Sequence, residues 1–79
     1  MKAVVYSRAD CHLCHEAIES LTGLATEFPG LEIDEIDIDD DDDLLRRYLE
    51  RIPVVLIDGE IVSELVFDPE PVRARLRIP

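Results

Sequence analysis

Two cysteines three positions apart, in Cys11-His12-Leu13-Cys14, followed by His15, are the residues of this chain best suited to covalent chemistry. A thiol pair at this spacing can open and close a disulfide, and the same atoms can ligate a soft metal. The surrounding residues decide which. Upstream, residues 3 to 6 read as a short buried strand, and Ser7-Arg8-Ala9-Asp10 as a polar loop. Downstream, Leu13, Cys14, Ala17, Ile18, Leu21, Leu24, Ala25 and Phe28 recur at three- and four-residue steps, the spacing of one buried helical face, until Pro29-Gly30 stops it. Cys11 therefore falls at a helix start, where unpaired N–H groups and the positive end of the helix dipole stabilise a thiolate. Cys14 shares a face with Ala17, Ile18 and Leu21 and is expected to be the more buried thiol, placed to resolve a mixed disulfide formed at Cys11. His15 lies one turn on and can lean back toward that sulfur, which as an imidazolium it stabilises. Asp10 and Glu16 act in the opposite sense. The alternative reading of His12 and His15 is that both are solvated residues with no part in the chemistry.

The remaining elements must position this loop. Leu31 to Ile38 is a second strand whose apolar residues change parity between Ile33 and Ile36, which predicts a bulge or a late strand start. Asp39 to Asp43 then precedes Leu44, Leu45, Tyr48, Leu49 and Ile52, an amphipathic helix with acids at its start and arginines toward its end. Asp42 and Asp43 stand four residues before Arg46 and Arg47, a spacing that favours ion pairs along the helix. Pro53 to Ile57, Asp58-Gly59 and Glu60 to Val62 read as strand, turn and returning strand, because Asp-Gly supplies the positive φ angles of a type I′ turn. Asp68 as N-cap with Pro69 in the first helical position opens a last helix, with Val72 and Leu76 facing inward. The order is β-α-β-α-β-β-α in one domain over residues 1–79.

Bulk properties narrow the partners. A chain of 79 residues buries only about 60% of its unfolded surface, which excludes a second domain or a deep cleft. With 19 acidic and 8 basic residues its formal charge is −11, which repels nucleic acid and anionic membrane surfaces alike. The first residues run straight into a strand with no secretory signal pattern, and no apolar run approaches the ~20 residues of a membrane span. A cytoplasmic monomer is the expectation, and in that compartment a close Cys pair points to catalysis or metal binding rather than a structural staple.

Tyr6-Ser7-Arg8, then Cys11-His12-Leu13-Cys14, then Arg51-Ile52-Pro53-Val54 ahead of the Asp58-Gly59 hairpin together resemble the glutaredoxins over nearly the whole chain. Phe67-Asp68-Pro69 and the arginine-rich end are closer to a subgroup of short, mostly bacterial glutaredoxin-like proteins. The resemblance implies an α/β thioredoxin fold, with a four-stranded mixed sheet flanked by helices. It implies redox work at Cys11 and Cys14, a cis peptide bond before Pro53, and substrate contacts from Arg8, Ile52 and Pro53, with a protein or small-molecule disulfide as substrate and no cofactor. Where glutaredoxins carry the Gly-Gly pair of their glutathione site, this chain reads Ser63-Glu64-Leu65-Val66. Glu64 adds a carboxylate, and both side chains narrow that place, so glutathione use is left open.

Other chemistries share parts of the pattern. Cys11-x-x-Cys14-His15 is also a c-type haem attachment motif, but Met1 is the only methionine, and the hairpin does not suit an all-helical haem fold. Cys11, His12, Cys14 and His15 offer four metal ligands in five residues, and some glutaredoxin relatives hold an iron-sulfur cluster between two chains. One helix start rarely converges all four, and no second Cys pair closes a site, so no metal is expected. The aspartate run lacks the spacing of a calcium loop. A non-enzymatic interaction domain has no reason to keep two thiols at a helix start. Disulfide exchange is thus the leading reading, with a metal module or an interaction domain as alternatives.

Overall fold

Alternation along β1 (Lys2–Ser7) turns Ala3, Val5 and Ser7 to one side, where they are buried, and Val4 and Tyr6 to the other, where they are half-buried. The computed structural model describes residues 1–77. After β1 come α1 (His12–Glu27), β2 (Glu32–Asp37), a 3₁₀ turn (Ile38–Asp40), α2 (Asp42–Tyr48), β3 (Val54–Ile57), β4 (Glu60–Glu64) and α3 (Pro69–Leu76). This is the expected order. The sheet runs β2-β1-β3-β4, with β2 parallel to β1, and β3 antiparallel to both β1 and β4. No helix among the described residues is long and apolar enough to cross a membrane.

One face of the sheet holds the core. Ala3, Val5, Val55 and Ile57 pack with Leu21 and Leu24 of α1, Leu31 and Val72 of α3. Each large aliphatic side chain buried here contributes roughly 1.5–3 kcal/mol. The opposite face carries α2, which is attached by Tyr48 stacked on Tyr6 with ring centroids 4.7 Å apart. None of the residues of α2 is buried.

Three details depart from the sequence reading. The parity change in β2 needs no bulge, because its register with β1 is continuous from Lys2–Glu32 to Ser7–Asp37. Ile33 packs against the core, Ile36 lies beside Tyr6 on the other face, and Ile38 leaves the strand and is buried in the 3₁₀ turn. The bulge falls in β4 instead: Val55 faces Ser63 and Leu56 faces Ile61, so Val62 is the extra residue. The second helix is shorter than its apolar pattern suggested and ends at Tyr48, leaving Ile52 outside it. Asp41 caps its first turn, with Oδ1 accepting from the N–H groups of Asp43 and Leu44. Neither Asp42–Arg46 nor Asp43–Arg47 forms an ion pair within 4 Å.

The hairpin is as expected: Asp58 (φ 50°) and Gly59 (φ 89°) both take positive φ. Asp68 caps α3 by accepting from the N–H of Glu70, with Pro69 in the first turn.

Register gathers four loops at one end of the sheet. β1 ends at Ser7 beside Asp37, the end of β2; Tyr6 faces Val54, the start of β3, and Val54 faces Glu64, the end of β4. The cysteine loop, the 3₁₀ turn, Ile52-Pro53 and the segment after Glu64 therefore meet.

Candidate active site

Cys11 is the N-cap of α1, in extended conformation, and its Sγ accepts a hydrogen bond from the Cys14 N–H at 3.2 Å. Its own N–H donates to Arg8 O, and its carbonyl accepts from the His15 N–H, each at 3.2 Å. The loop is thereby folded onto the helix start. Cys11 and Cys14 form a disulfide with Cα atoms 5.2 Å apart. Cys14 is fully buried, whereas Cys11 is half-buried. An incoming sulfur can reach the pair through Cys11 alone.

The first turn of α1 holds no acidic residue, so the positive helix end faces Cys11 without a carboxylate in that turn. Asp10 is exposed in the preceding turn. The His12 side chain is exposed, with Nε2 3.3 Å from a carboxylate oxygen of Glu16. The His15 side chain is exposed and makes no hydrogen bond or ion pair among the described residues. Leu13, which its spacing puts on the buried face, is 40% exposed next to the disulfide in the chain.

The Ile52–Pro53 peptide bond is cis. The Ile52 N–H, which a docked strand would use, donates to Tyr48 O at 3.0 Å, because the chain leaves α2 in one more hydrogen-bonded turn. Only the Ile52 carbonyl lacks a backbone partner among the described residues. The substrate edge expected at Ile52 is therefore an acceptor without its donor. The Leu65 N–H closes the loop from the other side, donating to Pro53 O at 3.0 Å and to Arg51 O at 3.1 Å.

Arg8 stands at the same sheet end, where its Nε lies 3.0 Å from Asp39 Oδ1 in the 3₁₀ turn. Its charge already has a partner. Glu64 does not present a free carboxylate either: it is hydrogen-bonded and ion-paired to Arg51, which holds it below the usual carboxylate range while Glu64 raises the guanidinium. Arg51 also lies over the Tyr48 ring, 5.0 Å from its centroid. Ser63 is buried, and its Oγ accepts from the Asp68 N–H at 3.3 Å, so it points into the fold and cannot narrow a groove outside. Leu65, the residue after Glu64, is half exposed and in the left-handed region at φ 63°.

Nothing in their residue types or spacing marks Tyr48 or Leu65 as neighbours of the cysteine loop. The one usable signal was the position of Arg51 directly before Ile52-Pro53.

Comparison with known proteins agrees with this geometry. The family model described as Glutaredoxin-like domain (DUF836) matches residues 2–77. The protein XcR50 from X. campestris, solved by X-ray, is 32% identical, with 98% of this chain and 99% of that one covered and a TM-score of 0.74. The thioredoxin-like protein BC3987, solved in mutant form, is 28% identical over 95% of this chain and 99% of that one, with a TM-score of 0.64. Thioredoxin 1 of Thermosipho africanus, at 16% identity, 96% and 94% coverage and a TM-score of 0.63, shares the fold. No curated protein is significantly similar in sequence. With its Cys pair at the start of α1 and a family match along nearly its whole length, the chain belongs to the glutaredoxin-like family of the thioredoxin fold.

Proposed function

We propose that this protein is a thiol-disulfide oxidoreductase in which Cys11 is the nucleophile and Cys14 the resolving thiol. The observation that carries the reading is the asymmetry of the pair. Cys11 is reachable and capped by an N–H from the helix start, while Cys14 is fully buried behind it. In the reduced form, the Cys11 thiolate attacks one sulfur of a substrate disulfide. The S–S bond breaks, one substrate thiolate leaves and takes up a proton, and a mixed disulfide remains at Cys11. Cys14 then loses its proton and attacks the Cys11 sulfur, which releases the second substrate thiol and closes Cys11–Cys14. Two electrons pass to the substrate, and an external dithiol or equivalent two-electron donor restores the pair.

The substrate we infer is a protein or small disulfide other than glutathione's. Glutathione carries net negative charge near pH 7, and the two cations nearest the site, Arg8 and Arg51, are each engaged by a carboxylate of the chain itself. Leu65, directly after the Ser63-Glu64 that stand where glutaredoxins carry Gly-Gly, adds an exposed apolar side chain. The reading is tested by turnover of a model disulfide with a thioredoxin-reductase system and with glutathione in parallel. Turnover that depends on both Cys11 and Cys14 and runs faster with the first donor supports it; no turnover with either donor refutes it.

A further inference from the structure

The short helix α2 carries an unpartnered groove on the surface. Tyr48 attaches it to the sheet, but Leu45 and Leu49, one turn apart on another side, line an open groove of about 520 Å³ with Arg46, Arg47, Glu50 and Arg51. Leu49 is 45% exposed there. The charges around it are unusual for this chain. Lys2, Arg8, Arg51, Arg73 and Arg75 each lie within 4 Å of a carboxylate: Asp34, Asp39, Glu64, Glu27 with Glu70, and Glu60 respectively. Arg46 and Arg47, like Arg77 at the other end of the described chain, are exposed and have no such partner among the described residues, although Asp42 and Asp43 stand one turn before them; only Arg46 and Arg47 flank a groove with exposed leucine. Those two aspartates lie in the first turn of α2, where the helix dipole favours their charge.

We propose that this groove docks an acidic segment of a protein substrate, with apolar side chains seated along Leu45 and Leu49 and carboxylates on Arg46 and Arg47. The inference rests on the oxidoreductase reading and deepens it by naming the chemistry of the partner. A guanidinium recognises a carboxylate through two parallel hydrogen bonds, which gives direction as well as charge. Arginine is also enriched at interfaces relative to the rest of the surface. The groove runs to Arg51, the residue before Ile52-Pro53, so a segment held in it leads along the chain to the sheet end that carries Cys11. Charges act over roughly 8 Å at physiological ionic strength, so the chain's more distant carboxylates are screened and a ligand's carboxylates compete for the two guanidiniums mainly with Asp42, Asp43 and Glu50. Glu50, the one carboxylate lining the groove, favours a segment whose acids lie on the side of Arg46 and Arg47.

The test is binding of labelled, cysteine-free peptides to the oxidised full-length chain, followed by fluorescence anisotropy. Three peptides share a pair of leucines and differ in their flanks, which are Asp and Glu, Asn and Gln, or Lys. The acidic peptide is expected to bind about fivefold more tightly than the neutral one, and the lysine peptide least tightly. The double substitution Arg46→Gln, Arg47→Gln keeps good helix formers in place and should erase the preference while leaving reduction of a small uncharged disulfide unchanged. Leu49→Ala should weaken the acidic peptide about threefold through loss of apolar contact. Equal affinity for the three peptides, a preference that survives the double substitution, or equally tight binding of an oligonucleotide of the same charge overturns the proposal. Because these peptides contain no thiol, the result is separate from turnover of the small disulfide, whose absence in the unmodified protein would strike only the oxidoreductase reading.

Discussion

The backbone N–H of Cys14 donates to the Sγ of Cys11 across 3.2 Å of the first turn of α1. Sequence position makes this contact: three residues is the distance from an N-cap to the first helical N–H groups that need an acceptor, and here the cap is a sulfur. The same turn buries Cys14 against the apolar side of α1 with Ala17 and Leu21. One helix start thus supplies an accessible sulfur, a donor that favours its anionic form and a concealed second thiol.

Trapping follows from that division. Cys14→Ser is expected to accumulate a mixed disulfide at Cys11 when mixed with a disulfide substrate, whereas Cys11→Ser should form no adduct, because its remaining thiol is fully buried. Intact-mass spectrometry distinguishes the two. An adduct on the Cys11→Ser variant reverses the roles.

The Arg51–Glu64 pair predicts a pH dependence of stability. Glu64 is held below its ordinary value of 4.5 chiefly by the hydrogen bond from Arg51. A carboxylate with a depressed folded-state pKa contributes stability at pH values above its unfolded pKa, and that contribution is lost as pH falls through the folded value. The melting temperature of wild type should therefore exceed that of Glu64→Gln at pH 7, and the gap should close between pH 5 and pH 3. Both groups are solvent-exposed, so added salt should narrow it as well. A gap that is constant with pH would show that the pair does not act through charge.

Substrate choice turns on the same pair. Glu64→Gln releases Arg51 beside the position at which the glutaredoxins carry their Gly-Gly pair, and turnover of a glutathionylated peptide should rise about threefold, mainly through a lower KM. Ser63→Gly should give no such gain, since Ser63 points inward to the Asp68 N–H. Wild type that already turns over the glutathionylated peptide as fast as a neutral peptide disulfide would contradict the prediction.

Leu65 is held at φ 63°, a conformation that costs a residue with a Cβ roughly 1–2 kcal/mol. Glycine removes that cost but gains entropy in the unfolded chain, which offsets about half of it. Leu65→Gly should therefore raise the melting temperature by a few degrees, on the order of 0.5–1 kcal/mol for a domain of this size. A lower melting temperature would show that the contacts of the leucine outweigh its backbone cost.

How much of this could be read in the sequence depends on whether the cause is local. Asp58-Gly59, Asp68-Pro69 and the helical spacing from Cys14 to Leu24 act through neighbours in the chain, and each produced the expected element. The extra residue Val62 leaves no local mark, because a bulge is defined only against the partner strand. Arg51 and Glu64 are 13 residues apart and meet through the turn at Pro53 and the β3–β4 hairpin, so a carboxylate that looked free in the sequence is neutralised in the fold. The Ile52 N–H was likewise hidden by a continuation of α2 that its capping pattern did not announce. Cys11 and Cys14 were legible together because one helix start determines both.

The most direct test of Cys11 as nucleophile is its alkylation by iodoacetamide in the reduced protein as a function of pH, with the modified residue identified by peptide mass. Cys11 should react with a midpoint below the free-thiol value of about 8.5, and at pH 7 faster than the same thiol in denatured chain, while Cys14 stays unmodified. A midpoint at or above 8.5, or modification of Cys14 first, would contradict the assignment of Cys11.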